Sequence, residues 1–293
     1  MRIHTSLKTR RALTSFLLED IGTGDITTNN LNARDTNVRA EIVVKSDDET
    51  VVAGLEEAIV IFDICGCTSR NLVDDGSFVR NYQGVLEIEG RAKDILKAER
   101  TALNMLMRMS GIATETRTLI EAIRSAGSVA EITSTRKTCP GLRTFDKKAV
   151  KIGGGLPHRQ RLDEMVLIKS NHIYLAGSVE RCIRELKEKC GSNIKIECEV
   201  TNLKDLITAI NEGSDIVMLD NFEPVAAKNA IKTISNLGLR KRSIIEISGG
   251  IRFSNIKDYA DAGPDRISVG YLTHSTNAAN YSLKIVDRNE QQP

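Results

Sequence analysis

Hydrophobic and polar positions follow two different rhythms in this chain, and the change of rhythm divides it. In the first third, residues 38–44 (VRAEIVV) and 84–91 (GVLEIEGR) alternate with a period of two, which predicts half-buried strands. Ala53 to Ile64 reads as a helix, and a long helical stretch runs from about Ala92 to Met109. From about residue 129 the pattern becomes regular. Short apolar runs begin near 129 (VAEIT), 166 (VLIK), 194 (IKIEC), 215 (DIVML), 243 (SIIEI) and 265 (DRISV), each suited to a buried parallel strand. Helical stretches at 178–190 and 202–212 separate later runs, with Ser178 and Asn202 as natural N-caps and Gly191 and Gly213 as natural stops.

Strand and helix in succession predict a parallel sheet. The change of pattern near Gly111 sets a boundary there, between a mixed α/β domain expected over 1–111 and an α/β domain expected over 112–276; the segment 277–293 is left free to pack back on the first. Six strand units in roughly 145 residues are too compact for a full eight-unit barrel of about 250. A smaller or incomplete barrel, or an open doubly wound sheet, fits the length. The residues that follow the strands favour the barrel: Thr135-Arg136-Lys137, Lys169 to His172, Glu199, Asp220-Asn221, Ser248-Gly249-Gly250 and Gly270. Polar and glycine residues thus recur at the carboxyl ends, which in a barrel converge on one catalytic mouth.

Composition narrows the field. Of 293 residues, 41 % are hydrophobic and 27 % charged, as in ordinary globular proteins, and 41 Lys and Arg against 39 Asp and Glu give a net charge of +2. That balance opposes binding of nucleic acid through bulk charge. No apolar run approaches the roughly 20 residues of a membrane span, and the start lacks an apolar signal core; the six cysteines fit a reducing compartment, and the expected place is the cytosol. The six cysteines show no paired C-x-x-C spacing, and Cys65-Gly-Cys67 reads as two small apolar residues after a helix.

The charge is concentrated locally. Between Glu131 and His172 nine Lys and Arg face four acids, an excess of +5. Lys147, Lys148 and Lys151 read as a solvated basic face. Arg136, Lys137 and Lys169 sit at the ends of buried strands, where a cation without an anion is costly, so a ligand anion is expected. The run Gly153 to Arg159 (GGGLPHR) brings His158 and Arg159 after three glycines, which permit close approach of backbone to ligand. Of the four histidines only His4 lies away from strand ends and loops.

Ser248-Gly249-Gly250 with Gly270 and His274 suggests a phosphate cradle of backbone N–H groups. Glu199 and Asp220 end neighbouring strands and can hold Mg²⁺ through water or bind sugar hydroxyls; Glu197 points to the same side as Glu199. Arg100 shares a helical face with Leu96, Leu103 and Met107, so it interrupts an apolar stripe and needs a partner, within the fold or across an interface.

These segments are also similar to the quinolinate phosphoribosyltransferase family: Glu99 to Asn104, Ser110 to Thr114, Thr135 to Arg143, Gly153 to Arg159 and Leu167 to His172. Further matches are Glu19 to Asp25, Met218 to Asn221, Ser248 to Ile251 and Gly270 to Ser275, in order along nearly the whole chain. The resemblance implies a mixed α/β sandwich domain followed by an incomplete barrel of six or seven strands, the type II phosphoribosyltransferase fold. It implies transfer of phosphoribosyl from phosphoribosyl pyrophosphate to quinolinate, with Mg²⁺, giving nicotinate mononucleotide, pyrophosphate and CO₂ in NAD biosynthesis. By motif position Arg136, Lys137, His158, Arg159 and Lys169 bind quinolinate, and Arg100 enters from the second subunit of a homodimer; assembly into hexamers is left open. Glu199 and Asp220 take the ribose hydroxyls and Mg²⁺, Lys137 the pyrophosphate, and Ser248, Gly249, Gly250, Gly270 and His274 the 5′-phosphate. Ser170 and Lys148 depart from the family pattern without touching those residues.

Three rival readings fit parts of the same pattern. A paralogue of the same fold, of the molybdenum-transport-associated group, would take another acceptor; the intact Leu167-Ile168-Lys169-x-Asn171-His172 segment opposes it. An aldolase-like barrel would use Lys169 as a Schiff-base lysine. An RNA-binding module is opposed by the near-neutral charge and by 4 % aromatic residues with no Trp.

Overall fold

The structure, a computed structural model, describes residues 6–31 and 36–286; His4 and the tail 287–293 lie outside them. In chain order the first elements are α1 (Leu7–Ile21), α2 (Ile26–Asn30), β1 (Asn37–Val44), β2 (Thr50–Val51), α3 (Leu55–Ile64), β3 (Thr68–Asn71), β4 (Phe78–Val79), β5 (Gly84–Arg91) and α4 (Ala92–Ser125). There follow β6 (Glu131–Thr133), α5 (Arg143–Ile152), β7 (Val166–Ile168), α6 (Ser170–Ala176), α7 (Val179–Cys190), β8 (Ile196–Val200), α8 (Leu203–Asn211) and β9 (Ile216–Asp220). The last are α9 (Pro224–Asn236), β10 (Ile244–Ser248), α10 (Ile256–Asp261), β11 (Arg266–Ser268), α11 (Tyr271–His274) and β12 (Tyr281–Val286).

The chain forms two compact units, residues 1–115 with 276–293, and residues 116–275. The first holds an antiparallel sheet in the order β12-β1-β5-β3, so the returning C-terminal strand completes the sheet that β1 begins. The long helix departs from the sequence expectation. It does not stop near Met109 but continues to Ser125, 34 residues in all from Ala92. Gly111 is no terminator: a Cβ there would lie 2.0 Å from the Asn277 carbonyl oxygen, so the residue is small because the returning chain crosses it. Its neighbours serve the same seam. Ser110 Oγ accepts from Ala53 N at 2.9 Å and from the buried Tyr281 hydroxyl at 2.9 Å, and Thr114 Oγ1 accepts from Val51 N at 2.9 Å.

The second unit carries six parallel strands in the order β6-β11-β10-β9-β8-β7. Read as a ring, that order is consecutive, with the first strand beside the last, which is the order of a barrel open between β6 and β7 and not of a doubly wound sheet. Leu156 bridges Thr133 in parallel on the open side of β6. All six predicted runs form strands.

Alternation along these short strands sorts their side chains. Ile132, Ile168, Cys198, Val217, Leu219, Ile245, Ile247 and Ile267 join one apolar core with the helices, including Ile183, Leu206, Ile210 and Ile234. The intervening positions, Thr133, Leu167, Glu197, Glu199, Met218, Glu246 and Ser268 among them, turn to the other face by the period of two. The helix side is therefore an oil layer of fully buried aliphatics, while the strand interior is largely polar. Helices α7 and α8 begin as the sequence predicts: Ser178 Oγ accepts from Arg181 N at 3.1 Å and Asn202 Oδ1 from Asp205 N at 2.9 Å, satisfying N–H groups that the helix cannot.

Candidate active site

The carboxyl ends of the six strands surround a cavity of about 460 Å³. Arg136 and Lys137 reach it from the segment after β6, His158 and Arg159 from the loop before β7, Lys169 from the end of β7 and Glu199 and Asp220 from β8 and β9. Ser248, Gly249 and Gly250 close it on the β10 side and continue into a second, smaller cavity with Gly270, His274 and Lys137. Arg100 belongs to the first unit and does not line either cavity. It is exposed on α4, on which Leu96 and Met107 are half-buried and Leu103 is buried. Burial pushes the carboxyl of its neighbour Glu99 up, with the Arg100 charge acting against that rise.

The cationic wall has unspent donors. Arg159 is 7 % exposed and gives one N–H to the Met165 carbonyl at 3.0 Å. Its Nε, and the buried Nε of half-buried Arg136, have no hydrogen-bond partner among the described residues. Burial, followed by the Arg136 charge, lowers the Arg159 pKa. Unpaired buried guanidinium N–H groups are costly, and a planar two-pronged anion satisfies them best. Lys169 is ion-paired with Glu199; burial raises the Glu199 carboxyl, Lys169 opposes that, and the charges of Asp220 and Glu197 add to the rise. The Asp220 carboxylate accepts from Asn221 Nδ2 at 2.9 Å.

The three glycines act otherwise than expected. Gly153 caps α5, Gly154 takes a positive φ of 98°, and Gly155 is packed so tightly that a Cβ would lie 2.9 Å from Thr116 and Val150 side chains. None lines the cavity; together they make the turn that delivers His158, itself at φ 51°, and Arg159. Gly249 (φ 108°) does sit at the cavity edge, where a Cβ would meet Asn221 Oδ1 at 2.3 Å, and Gly270 leaves room for the Lys137 chain, 3.3 Å from where its Cβ would be. The cradle also differs in detail: Gly270 opens directly into α11, whereas residues 251–255 separate Gly250 from α10. His172 is a cap, its Nδ1 accepting from Lys169 N at 2.9 Å, and does not line the main cavity.

Beneath the cavity lies a buried layer that the sequence reading missed in part. His158 Nε2 is 2.9 Å from Glu197 Oε2 and 3.9 Å from Glu246 Oε1, and both acids are fully buried. Ser268 Oγ hydrogen-bonds Glu246 and Thr133 Oγ1 meets Ser268 Oγ at 3.0 Å. Burial disfavours the imidazolium, but the Glu197 hydrogen bond and the charges of Glu197 and Glu246 outweigh it, holding the His158 pKa above its ordinary value. Burial, then the Glu197 charge, pushes Glu246 up to about 7. Lys147, expected on a solvated face, is instead among the largest fully buried side chains.

A cation-lined pocket, two carboxylates and a glycine cradle at one barrel mouth suit an enzyme that transfers a phosphorylated group to an anionic acceptor. The comparisons agree with that class and narrow it. The model of the quinolinate phosphoribosyl transferase N-terminal domain matches residues 25–110, and that of the C-terminal domain residues 112–284. The chain belongs to the quinolinate phosphoribosyltransferase family and is an enzyme. It is 44 % identical over 269 residues to a probable nicotinate-nucleotide pyrophosphorylase [carboxylating] of Methanocaldococcus jannaschii, covering 91 % of this chain and 93 % of that one. The corresponding protein of Methanothermobacter thermautotrophicus is 42 % identical over 266 residues, 91 % of this chain and 95 % of that one. The solved nicotinate-nucleotide pyrophosphorylase of Francisella tularensis superposes with a TM-score of 0.87 at 35 % identity, covering 95 % of this chain and 96 % of that one. These relatives support carboxylating nicotinate-nucleotide pyrophosphorylase activity.

Proposed function

We propose that this enzyme joins quinolinate to phosphoribosyl pyrophosphate, releasing pyrophosphate and CO₂ and forming nicotinate mononucleotide for NAD biosynthesis. The observation that carries the reading is the pair of unpartnered, buried Nε–H donors on Arg136 and Arg159 beside Lys169 and His158. A ligand with two adjacent carboxylates satisfies that set; a neutral base does not. Arg136, His158, Arg159 and Lys169 hold quinolinate, and Ser248, Gly249, Gly250, Gly270 and His274 hold the 5′-phosphate.

The chemistry needs no protein nucleophile. The pyridine nitrogen attacks the anomeric carbon while the bond from that carbon to pyrophosphate breaks, its electron pair leaving with pyrophosphate. Lys137, lining both cavities, meets the charge on the departing group. The positive charge on the resulting pyridinium nitrogen stabilises the electron pair left on C2 when the adjacent carboxylate leaves as CO₂, and C2 then takes a proton with that pair. Positioning and electrostatics supply the rate.

Glu199 and Asp220 end adjacent strands at the cavity, and their oxygens with the Asn221 amide make a hard donor set suited to Mg²⁺ held through water. Mg²⁺ bound there supplies charge neutralisation for pyrophosphate. The same two acids are placed to accept from ribose hydroxyls. The exposed Arg100 completes the quinolinate pocket from the second subunit of a homodimer, and the enzyme works in the cytosol.

Acceptor selectivity tests the reading. Calorimetric titration is expected to show quinolinate binding at least tenfold tighter than nicotinate, since one carboxylate leaves donors unpaired. Equal affinity for the two acceptors would overturn it.

A further inference from the structure

Lys147 lies on α5, outside every role given above. Its side chain is 1 % exposed, yet no carboxylate pairs with its amine among the described residues. Nζ donates to the Pro157 carbonyl and, at 3.4 Å, to Ser134 Oγ. Ser134 Oγ donates to the same Pro157 carbonyl at 2.9 Å, and Ser134 N to the Leu156 carbonyl at 3.0 Å. The amine thus straps the end of β6 to the peptide immediately before His158 and Arg159, and Ser134 is itself part of the cavity wall.

A buried ammonium costs free energy unless something offsets it. Two neutral acceptors offset part. The charged groups around it are mostly cations: Arg143 on its own helix, Arg136 from the segment after β6, and Arg159 and His158 from the loop before β7, with Glu164 the acid that acts the other way. Burial and then those cations lower its pKa to about 8. The balance of this corner is restored by an anion entering the cavity.

We infer that Lys147 is a positioning residue of the anion pocket, holding the Pro157 carbonyl so that His158 and Arg159 face the cavity and adding a positive charge behind its wall that favours a dianionic acceptor. The inference rests on the dicarboxylate reading of the pocket. It predicts a selective effect on the acceptor. In Lys147→Met the apolar chain fills the same space, so the fold persists, the acceptor KM rises at least tenfold, kcat changes less than threefold, and the KM for phosphoribosyl pyrophosphate is unchanged.

The experiment is calorimetric binding of quinolinate and of phthalate, its unreactive carbocyclic counterpart, to wild type, Lys147→Met and Lys147→Gln. Wild-type affinity falls as pH rises from about 7 to about 9, and both variants lose the part of that fall centred near 8. Variants that bind both dianions with the wild-type affinity and pH profile overturn the inference. Should the variants not fold, a flat wild-type profile across that range overturns it equally. Wild type that binds phthalate but not quinolinate refutes the acceptor reading, while the phthalate series still decides the role of Lys147; binding of neither refutes both.

Discussion

His158 Nε2 stands 2.9 Å from the fully buried Oε2 of Glu197, and this contact sets the charge of the pocket floor. An imidazole beside a buried carboxylate is held protonated, so the residue that faces an anionic ligand carries a positive charge above the pH at which an isolated histidine would lose it.

Glu197→Gln removes that charge while keeping an acceptor for the ring. The raised pKa means that the imidazolium is complete below the ordinary histidine range and is lost as pH rises through the raised value. In the variant the loss moves to lower pH, and quinolinate affinity at neutral pH falls by roughly tenfold. Binding titrations across pH measure this directly. An unchanged midpoint would remove Glu197 from this role.

Glu246 gives a stability prediction of opposite character. Its carboxyl titrates near 7 when folded and near 4.5 when unfolded, so the folded state holds the extra proton between those values. Stability therefore falls as pH rises through that window. Glu246→Gln is expected to flatten this limb and to raise the thermal midpoint at pH 8 by roughly 2–5 °C, read by thermal melts.

Gly249→Ala introduces a Cβ 2.3 Å from Asn221 Oδ1 at a φ of 108°. Affinity for phosphoribosyl pyrophosphate is expected to fall by tenfold or more. Phthalate binding, at the other end of the mouth, changes little. Equal losses for both ligands would mean that the cradle and the pocket do not act separately.

Arg100→Ala and Lys169→Ala are each expected to abolish most turnover, for different reasons. If Arg100 serves the neighbouring subunit, mixed dimers of the two variants contain one intact site and regain partial activity. Absence of recovery in purified mixed dimers would contradict a shared site.

Much of this architecture was legible in the chain because buried parallel strands are short aliphatic runs, and all six were visible as such. The residues at their carboxyl ends were legible with them, and Arg136, Lys169, Glu199 and Asp220 meet at one cavity because those ends converge, joined by His158 and Arg159 from the loop before β7. The continuation of α4 past Gly111 was not legible, since a glycine that stops a helix and a glycine crossed by another chain segment look alike in sequence. Lys147 hid within a basic run, where burial depends on the tertiary position of α5. Glu246 did leave a signal: a single acid between isoleucines in Ile244 to Ser248 must face away from the helices, into the polar interior. Reading alternation inside the strands, and not only the residues after them, finds it.

The most direct test follows the carboxylate that is lost. Quinolinate labelled with ¹³C in its C2 carboxylate is incubated with phosphoribosyl pyrophosphate and Mg²⁺, and labelled CO₂ is counted against nicotinate mononucleotide. The account predicts the two in equal amounts, dependent on Mg²⁺ and absent in Arg136→Ala. Folded wild-type protein that binds phosphoribosyl pyrophosphate yet releases no labelled CO₂ from quinolinate would contradict it.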